Sequence, residues 1–151
     1  MEQLFAEGKL TIFTDGGARG NPGPAAIGVV VGHKKYGEKI GETTNNVAEY
    51  KAVIFALKKA KQLLGKTKAK QTELEINTDS ELLYKQIGGN YKILEPELQK
   101  LFIEVWNLKQ DFKKVFWKKI PREENKLADS MVNQALDGKL KPEAEEPQHL
   151  L

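Results

Sequence analysis

The sequence predicts an α/β protein in which helices flank a mixed five-stranded sheet, in the order β-β-β-α-β-α-α-β-α. Up to residue 42, runs rich in β-branched and apolar residues alternate with glycine-rich turns, which is typical of antiparallel strands. After residue 46, apolar residues recur at helical spacing, and the later strand-like runs are separated by helices. Strands joined through helices are expected to be parallel, with right-handed crossovers.

Three strands come first, and they are predicted at residues 9–15, 25–31 and 36–42. The middle strand, AAIGVVV, is almost continuously apolar, so we expect it to be buried on both faces. Residues 16–24 (GGARGNPGP) are predicted to form a turn because glycine and proline dominate them.

The first helix is predicted at residues 46–64, where apolar residues form a helical stripe. Thr44, Asn45 and Asn46 offer N-caps immediately before it, and Gly65 ends it. The rest of the chain predicts two further strands, at residues 73–79 and 114–120. The remaining helices are predicted at residues 80–87, 96–111 and 125–136, and their start residues are Ser80, Pro96 and Asn125.

The length of 151 residues fits one domain, which we place at residues 1–138, followed by a flexible acidic tail at residues 139–151. With 40% hydrophobic and 30% charged residues, the composition excludes a disordered chain and a membrane-spanning one. The chain does not open on a basic and then apolar segment, so we expect no secretory signal and a cytoplasmic location. Nothing in the sequence indicates an obligate protein partner, and we expect a monomer.

The absence of cysteine excludes disulfides, thiol catalysis and cysteine-rich zinc sites. The two histidines, His33 and His149, are far apart in the chain, which argues against a metal site built from histidine. Any metal would therefore be held by oxygen ligands, which suits magnesium, manganese or calcium.

Lysine is clustered in two regions although the net charge is only +3. Seven lysines and no acid occur between Tyr50 and Thr72, and a second basic stretch runs from Lys109 to Arg122. Such clusters indicate a polyanionic partner such as nucleic acid, or else they are the solvated faces of helices. Charge alone leaves both interpretations open.

Four acids stand out by their positions. Asp15 and Asp79 end predicted strands, and they would lie side by side if those strands are adjacent and parallel. Glu49 and Asp129 lie in predicted helices among apolar residues, so we expect both to be buried and to need a partner. Four converging carboxylates would repel one another, and a divalent cation is the natural compensation.

Each acid also has a simpler interpretation. Asp15 and Asp79 could start turns, Glu49 could close a capping box on Asn46, and Asp129 could pair with a lysine. Four such coincidences together are less economical than one shared site. The glycine-rich loop could either approach a phosphate or sugar closely or form a tight hairpin, and it lacks the Gly-Lys-Ser/Thr ending of a P-loop.

Four sequence blocks resemble, in order, those of type 1 ribonuclease H: TDGGARGNPGP, TTNNVAEY, NTDSEL and PREENKLAD. The resemblance spans about Leu10 to Leu136 and implies a ribonuclease H-like fold. It implies a metal-dependent endonuclease that hydrolyses the RNA strand of RNA/DNA hybrids and leaves 5′-phosphate and 3′-hydroxyl ends. The implied catalytic acids, which would hold two Mg²⁺ ions with Mn²⁺ as a substitute, are Asp15, Glu49, Asp79 and Asp129.

The resemblance also implies roles within the site. Asp15 would bridge the two ions, Asp129 would lie on the side of the attacking water, and Glu49 and Asp79 on the side of the leaving group. The implied contacts to phosphates, 2′-hydroxyls and bases are Gly16, Gly17, Asn21, Thr44, Asn45, Asn46 and Arg122.

Two departures from the family pattern concern loops. Residues 119–125 contain no histidine, and they resemble the subgroup with arginine in this loop. Only residues 88–92 join two helices where other members insert a basic, substrate-binding handle, so the handle is expected to be missing. The alternative function is a catalytically inactive nucleic-acid-binding domain on the same scaffold, which predicts the loss of at least one acid, whereas all four are present.

Overall fold

The computed structural model describes residues 5–6 and 8–140, so most of the predicted tail lies outside the described residues. The strands are β1 Phe5–Ala6, β2 Lys9–Ala18, β3 Gly23–Val31, β4 Lys34–Thr43, β5 Glu73–Thr78 and β6 Lys114–Lys119. Their order in the sheet is β4-β3-β2-β5-β6, and the two-residue strand β1 pairs antiparallel with β2. The strands β2, β3 and β4 are antiparallel, whereas β5 and β6 run parallel to β2. The five predicted strands and their directions are confirmed, and β1 is an addition.

The α-helices follow the predicted order, with one further short α-helix and, before the last helix, a 3₁₀ turn at Arg122–Glu124. They are α1 Asn45–Leu64, α2 Lys66–Ala69, α3 Glu81–Ile87, α4 Pro96–Lys109 and α5 Lys126–Asp137. The four-residue helix α2 was not predicted, because its lysine-rich sequence has no apolar period and buries only Ala69. Within the described residues, no helix combines the length and hydropathy that a bilayer span requires.

The glycine-rich segment differs from its prediction. Gly16, Gly17 and Ala18 belong to β2 and pair with β3, so the turn covers only residues 19–22. Composition predicted a turn there because glycine is a poor strand former, but the neighbouring strand supplies backbone partners that override this preference.

The sheet is covered on both faces, and β3 is buried between them, as its continuous apolar sequence predicts. Ile27 and Val29 join the large core that α1 and α4 complete, together with Ile12 of β2. Ala26 belongs to a smaller cluster with Val132 of α5. Because successive residues of a strand point to opposite faces, α1 and α5 lie on opposite sides of the sheet.

Helix α5 approaches the sheet so closely that its backbone touches β3 at Gly28. A Cβ atom built on Gly28 would overlap the carbonyl oxygen of Ala128 and would lie 3.0 Å from the backbone nitrogen of Val132. Backbone atoms cannot move aside as a flexible side chain can, so this contact requires glycine.

We expect Gly28→Ala to force α5 away from the sheet. Overpacking of this kind costs about 1–3 kcal/mol, and each kcal/mol lowers the melting temperature of a domain of this size by about 2–4 °C. Gly17→Ala is the matched control, because its Cβ would meet only Val132 Cγ1 at an ordinary 3.7 Å. Thermal unfolding of the two variants checks the prediction, and equal melting temperatures would contradict it.

Candidate active site

Asp15 and Asp79 lie side by side because β2 and β5 are adjacent and parallel. The register aligns Thr14 with Thr78, and the residue that follows each of these threonines is one of the two aspartates. Asp79 follows the end of β5, as predicted, but Asp15 lies inside β2, which continues to Ala18. The parallel register, rather than the end of both strands, therefore brings the two carboxylates together.

Glu49 reaches the aspartates from α1. Thr44 caps this helix by accepting a hydrogen bond from the Val47 nitrogen at 3.2 Å, so Glu49 does not close a capping box on Asn46. The start of α1 rests directly on Gly16, where a Cβ atom would overlap the Ala48 carbonyl and lie 2.6 Å from the Glu49 nitrogen. Carboxylate oxygens of Asp15, Glu49 and Asp79 all lie within 4.8 Å of one another.

Asp129 completes the group from the opposite face of the sheet. In the register of β2 and β3, Asp15 stands opposite Gly28, which contacts Ala128 of α5. This contact brings Asp129 close enough to Asp15 for its charge to raise the pKa of the Asp15 carboxyl group. Contrary to the prediction of a buried acid, Asp129 is exposed, because it lies on the solvent side of the contact.

Crowding raises the pKa of the acids. Burial, followed by the charges of Asp79 and Asp129, raises the pKa of Asp15 from 3.8 to about 8. Burial and then the charges of Asp15 and Asp79 raise the pKa of Glu49 well above its usual range, although Arg122 opposes this shift. One carboxylate oxygen of Glu49 is buried with no hydrogen-bond partner among the described residues. The negative charge of these acids therefore exceeds what Arg122 compensates.

Four of the seven predicted substrate-binding residues line a groove of about 320 Å³ beside these acids. Three of the four acids line it as well, so the predicted site residues along it are Asp15, Gly16, Gly17, Asn45, Glu49, Arg122 and Asp129. Asp79, Asn21, Thr44 and Asn46 are not part of its lining.

Two asparagines fix the loop after β2 to the start of α1. Asn21 Oδ1 accepts a hydrogen bond from the Asn45 nitrogen at 2.9 Å, and Asn45 Oδ1 accepts one from the Ala18 nitrogen at 2.8 Å. Each amide therefore uses its oxygen within the protein and retains its NH₂ group as a donor. Of the other two predicted residues here, Thr44 uses its hydroxyl as the cap, and Asn46 lies in the first turn of α1.

Arg19 attaches the same loop to α5. Its guanidinium forms an ion pair with Asp137 at 2.7 Å and donates to Asn133 Oδ1 at 3.3 Å. Asn133 in turn donates to the Asp129 carbonyl at 3.1 Å. Sequence reasoning missed these contacts because Arg19 and Asp137 are 118 positions apart.

Asn125 has a different role from the predicted helix cap. It occupies the N-cap position of α5, but its side chain makes no capping hydrogen bond. Instead its amide nitrogen donates to the Thr14 carbonyl at 2.9 Å and to Asp79 Oδ2 at 3.0 Å. Its place four residues before Asp129, in PREENKLAD, was the only sequence signal.

The first lysine cluster is largely engaged within the protein. Lys59 is only 1% exposed and lies over the rings of Tyr36 and Phe55, at 5.0 and 5.8 Å from their centroids. Lys58 forms an ion pair with Glu104, and Lys61 with Asp111, both at 3.3 Å. Neither a solvated face nor a contact with a polyanionic partner therefore describes the buried Lys59, whereas Lys58 and Lys61 are partly exposed.

The second basic stretch reaches the site at one end only. Lys119, the last residue of β6, stands opposite Thr78, immediately before Asp79, whereas Lys114 lies at the other end of the strand. His33 lies in the turn between β3 and β4, where the neighbouring Gly32 nitrogen donates to the Thr11 carbonyl, four residues before Asp15. His149 lies outside the described residues.

Comparisons with known proteins agree with this geometry. The family described as reverse transcriptase-like matches residues 13–135. Ribonuclease HI of Halobacterium salinarum is 35% identical over 136 residues, which are 86% of this chain and 65% of that protein. A bifunctional protein of Mycobacterium tuberculosis is 37% identical over 85% of this chain, but the match is only 36% of that protein. The chain thus spans about a third of the mycobacterial relative.

Solved structures extend the likeness to the whole fold. RNase H1 of Halobacterium salinarum has a TM-score of 0.79 and 35% identity, covering 87% of this chain and 99% of that one. LC11-RNase H1 in complex with an RNA/DNA hybrid has a TM-score of 0.81 and 42% identity, with the same coverage of 87% and 99%. The positions of all four acids lie within the family match at residues 13–135. The chain therefore belongs to the ribonuclease H family, among the domains described as reverse transcriptase-like.

Proposed function

We propose that this chain is a metal-dependent endonuclease that hydrolyses the RNA strand of RNA/DNA hybrids and leaves 5′-phosphate and 3′-hydroxyl ends. The observation that carries the proposal is the convergence of Asp15, Glu49 and Asp79 within 4.8 Å, with Asp129 beside Asp15. An inactive nucleic-acid-binding domain would have no need to maintain this crowding of like charges. The crowding therefore favours catalysis over binding alone.

The residues present fit divalent metal ions. All the donors are carboxylate oxygens, which Mg²⁺ and Mn²⁺ prefer, and Glu49 offers a buried oxygen without a partner among the described residues. Asp15, Glu49 and Asp79 would hold one ion, and Asp15 and Asp129 the other. Two such ions supply the positive charge that activates a water molecule and stabilises the leaving oxygen of a phosphodiester.

The chain's own residues orient the substrate, and Asp15 holds a proton when no metal is bound. At neutral pH without metal, the raised pKa of Asp15 keeps a proton on its carboxyl group, next to Asp129. A divalent cation held by these acids would favour the ionised form of Asp15, which would then serve as a ligand. The groove admits a phosphodiester from solvent, and Arg122 supplies a guanidinium there.

Recognition of RNA would rest on the amides at the groove. The NH₂ groups of Asn21 and Asn45 are donors held in place by their own oxygen atoms, and a 2′-hydroxyl can accept from such a donor. The short connection at residues 88–95 between α3 and α4 contains no further helix, which supports membership in the subgroup without a handle. A relative with the same fold has been solved in complex with an RNA/DNA hybrid, which supports the substrate class.

A substrate panel tests the proposal directly. We expect wild-type protein with Mg²⁺ to cleave a labelled RNA/DNA hybrid and to be inactive in EDTA. Asp15→Asn should nearly abolish cleavage because it removes the negative charge at the centre of the group of acids. Asp111→Asn is the control, since it removes the same charge from an ion pair with Lys61.

Two outcomes of the panel would contradict the proposal. One is cleavage of double-stranded DNA in preference to the hybrid. The other is turnover of Asp15→Asn within about tenfold of wild type, which corresponds to only about 1.4 kcal/mol of barrier.

The stability of the metal-free protein should depend on Asp15 with a definite sign. The folded-state pKa of about 8 lies above the ordinary value of 3.8, so the folded protein retains a proton that the unfolded chain loses. Wild-type stability therefore falls as the pH rises through this window. Asp15→Asn has no such proton and should gain stability over wild type, more at about pH 8 than at about pH 5.

Urea unfolding in EDTA at the two pH values measures this difference. Asp111→Asn should show the same difference from wild type at both values. A gain for Asp15→Asn that does not grow with pH would show that Asp15 is not held among like charges.

The two ends of β6 should differ in hybrid binding. Lys119→Gln removes a charge from the residue opposite Thr78, immediately before Asp79 in the chain, and Lys114→Gln removes the same charge from the far end of the strand. If Lys119 meets a phosphate, its loss should lower the slope of log affinity against log salt by about 0.7–0.9. Binding to a hybrid in EDTA across a salt series checks this, and equal slopes for the two variants would place the phosphates elsewhere.

A further inference from the structure

We propose that Asn125 is a positioning residue. Its side-chain amide joins the Asp79 carboxylate to the backbone carbonyl of Thr14, next to Asp15, and thereby sets the affinity of the site for divalent metal ions. This inference rests on the proposed function, since it concerns the same group of acids.

The side-chain amide of Asn125 joins two parts of the site through its hydrogen bonds. Asn125 is 1% exposed, and its Nδ2 donates to the Thr14 carbonyl at 2.9 Å and to Asp79 Oδ2 at 3.0 Å. An amide nitrogen carries two hydrogens, so both are used. Since Thr14 directly precedes Asp15, one NH₂ group joins the backbone beside one acid to the carboxylate of another.

The amide can face only one way. Rotating it by half a turn would place Oδ1 against two oxygen atoms, those of Thr14 and Asp79, and would lose both hydrogen bonds. The backbone of Asn125 is fixed as well, because its nitrogen donates to the Arg122 carbonyl at 3.0 Å and its carbonyl accepts from the Asp129 nitrogen at 3.1 Å. Asn125 thus contacts the chain at or beside three of the four acids.

The oxygen atom of the Asn125 amide argues against a purely capping role. An asparagine that caps a helix uses its side-chain oxygen to accept from the first turn, but Oδ1 of Asn125 is buried and has no hydrogen-bond partner among the described residues. An unsatisfied buried acceptor costs stability. The side chain is therefore oriented for its two donated hydrogen bonds and not for the helix.

A neutral donor suits a metal ligand. It restrains the Asp79 carboxylate without adding the positive charge by which a lysine or arginine would compete with a cation, and it leaves the second carboxylate oxygen for the metal. Groups that orient metal ligands in this way typically change metal affinity or activity by about 10–100-fold when they are removed.

The chain contains a matched control in Asn77. This residue of β5 is also buried, and its Nδ2 donates to the carbonyl of Ile12 at 3.1 Å, two residues before Thr14 on the same strand. Asn77 and Asn125 therefore make the same kind of amide-to-β2 hydrogen bond, but only Asn125 also donates to a carboxylate.

The experiment titrates substrate-free protein with Mn²⁺ by calorimetry and measures thermal unfolding in EDTA. We expect Asn125→Ala and Asn125→Ser to weaken Mn²⁺ binding by about 10–100-fold. The Mg²⁺ concentration for half-maximal hybrid cleavage should rise by a similar factor. Asn77→Ala should lose a comparable amount of thermal stability and bind Mn²⁺ as wild type does.

Asn125→Ser guards against a variant that fails to fold, because serine is a favoured N-cap residue but is too short to reach Asp79. Wild-type Mn²⁺ affinity in either Asn125 variant overturns the inference. An equal loss of affinity in Asn77→Ala also overturns it, since the effect would then arise from packing of the sheet. A wild-type protein that neither binds Mn²⁺ nor cleaves the hybrid would instead overturn the proposed function.

Discussion

Close backbone packing around Asp15 is the constraint on which the rest of the site depends. Helix α1 meets β2 at Gly16 from one face, and α5 meets β3 at Gly28 from the other, both at positions where a Cβ atom would overlap a helix carbonyl. Gly16 follows Asp15 in the chain, and Gly28 stands opposite it in the sheet. Because both helices approach so closely, Glu49 and Asp129 reach the same aspartate from opposite sides.

The crowding of like-charged acids destabilises the metal-free protein, so the stability of the fold must come from other interactions. The large core between the sheet and α1 includes fully buried side chains such as Ile12, Leu57 and Ile76. Stability from this apolar packing is independent of charge and pH, and it holds the acids together against their repulsion. The raised pKa values of Asp15 and Glu49 express the same conflict, since each group lowers its cost by retaining a proton.

The elements and the four acids could be predicted because their signals are local. A strand or an amphipathic helix repeats over a few residues, and an acid inside an apolar run is conspicuous by itself. The contacts of Arg19 with Asp137, and of Asn125 with Thr14, join positions more than a hundred residues apart, and a single sequence holds no signal for such pairs. The lysine cluster misled for a related reason, because composition does not reveal that Lys59 faces the core.

Residues without reactive groups therefore determine how the four acids are placed. Gly28 has no side chain, yet the distance between Asp15 and Asp129 depends on it. Asn125 does not ionise near neutral pH, yet it restrains a carboxylate that a metal would bind. The acids supply charge, but the distances between them, on which affinity for a cation would depend, are fixed by neighbours that a search for reactive residue types does not select.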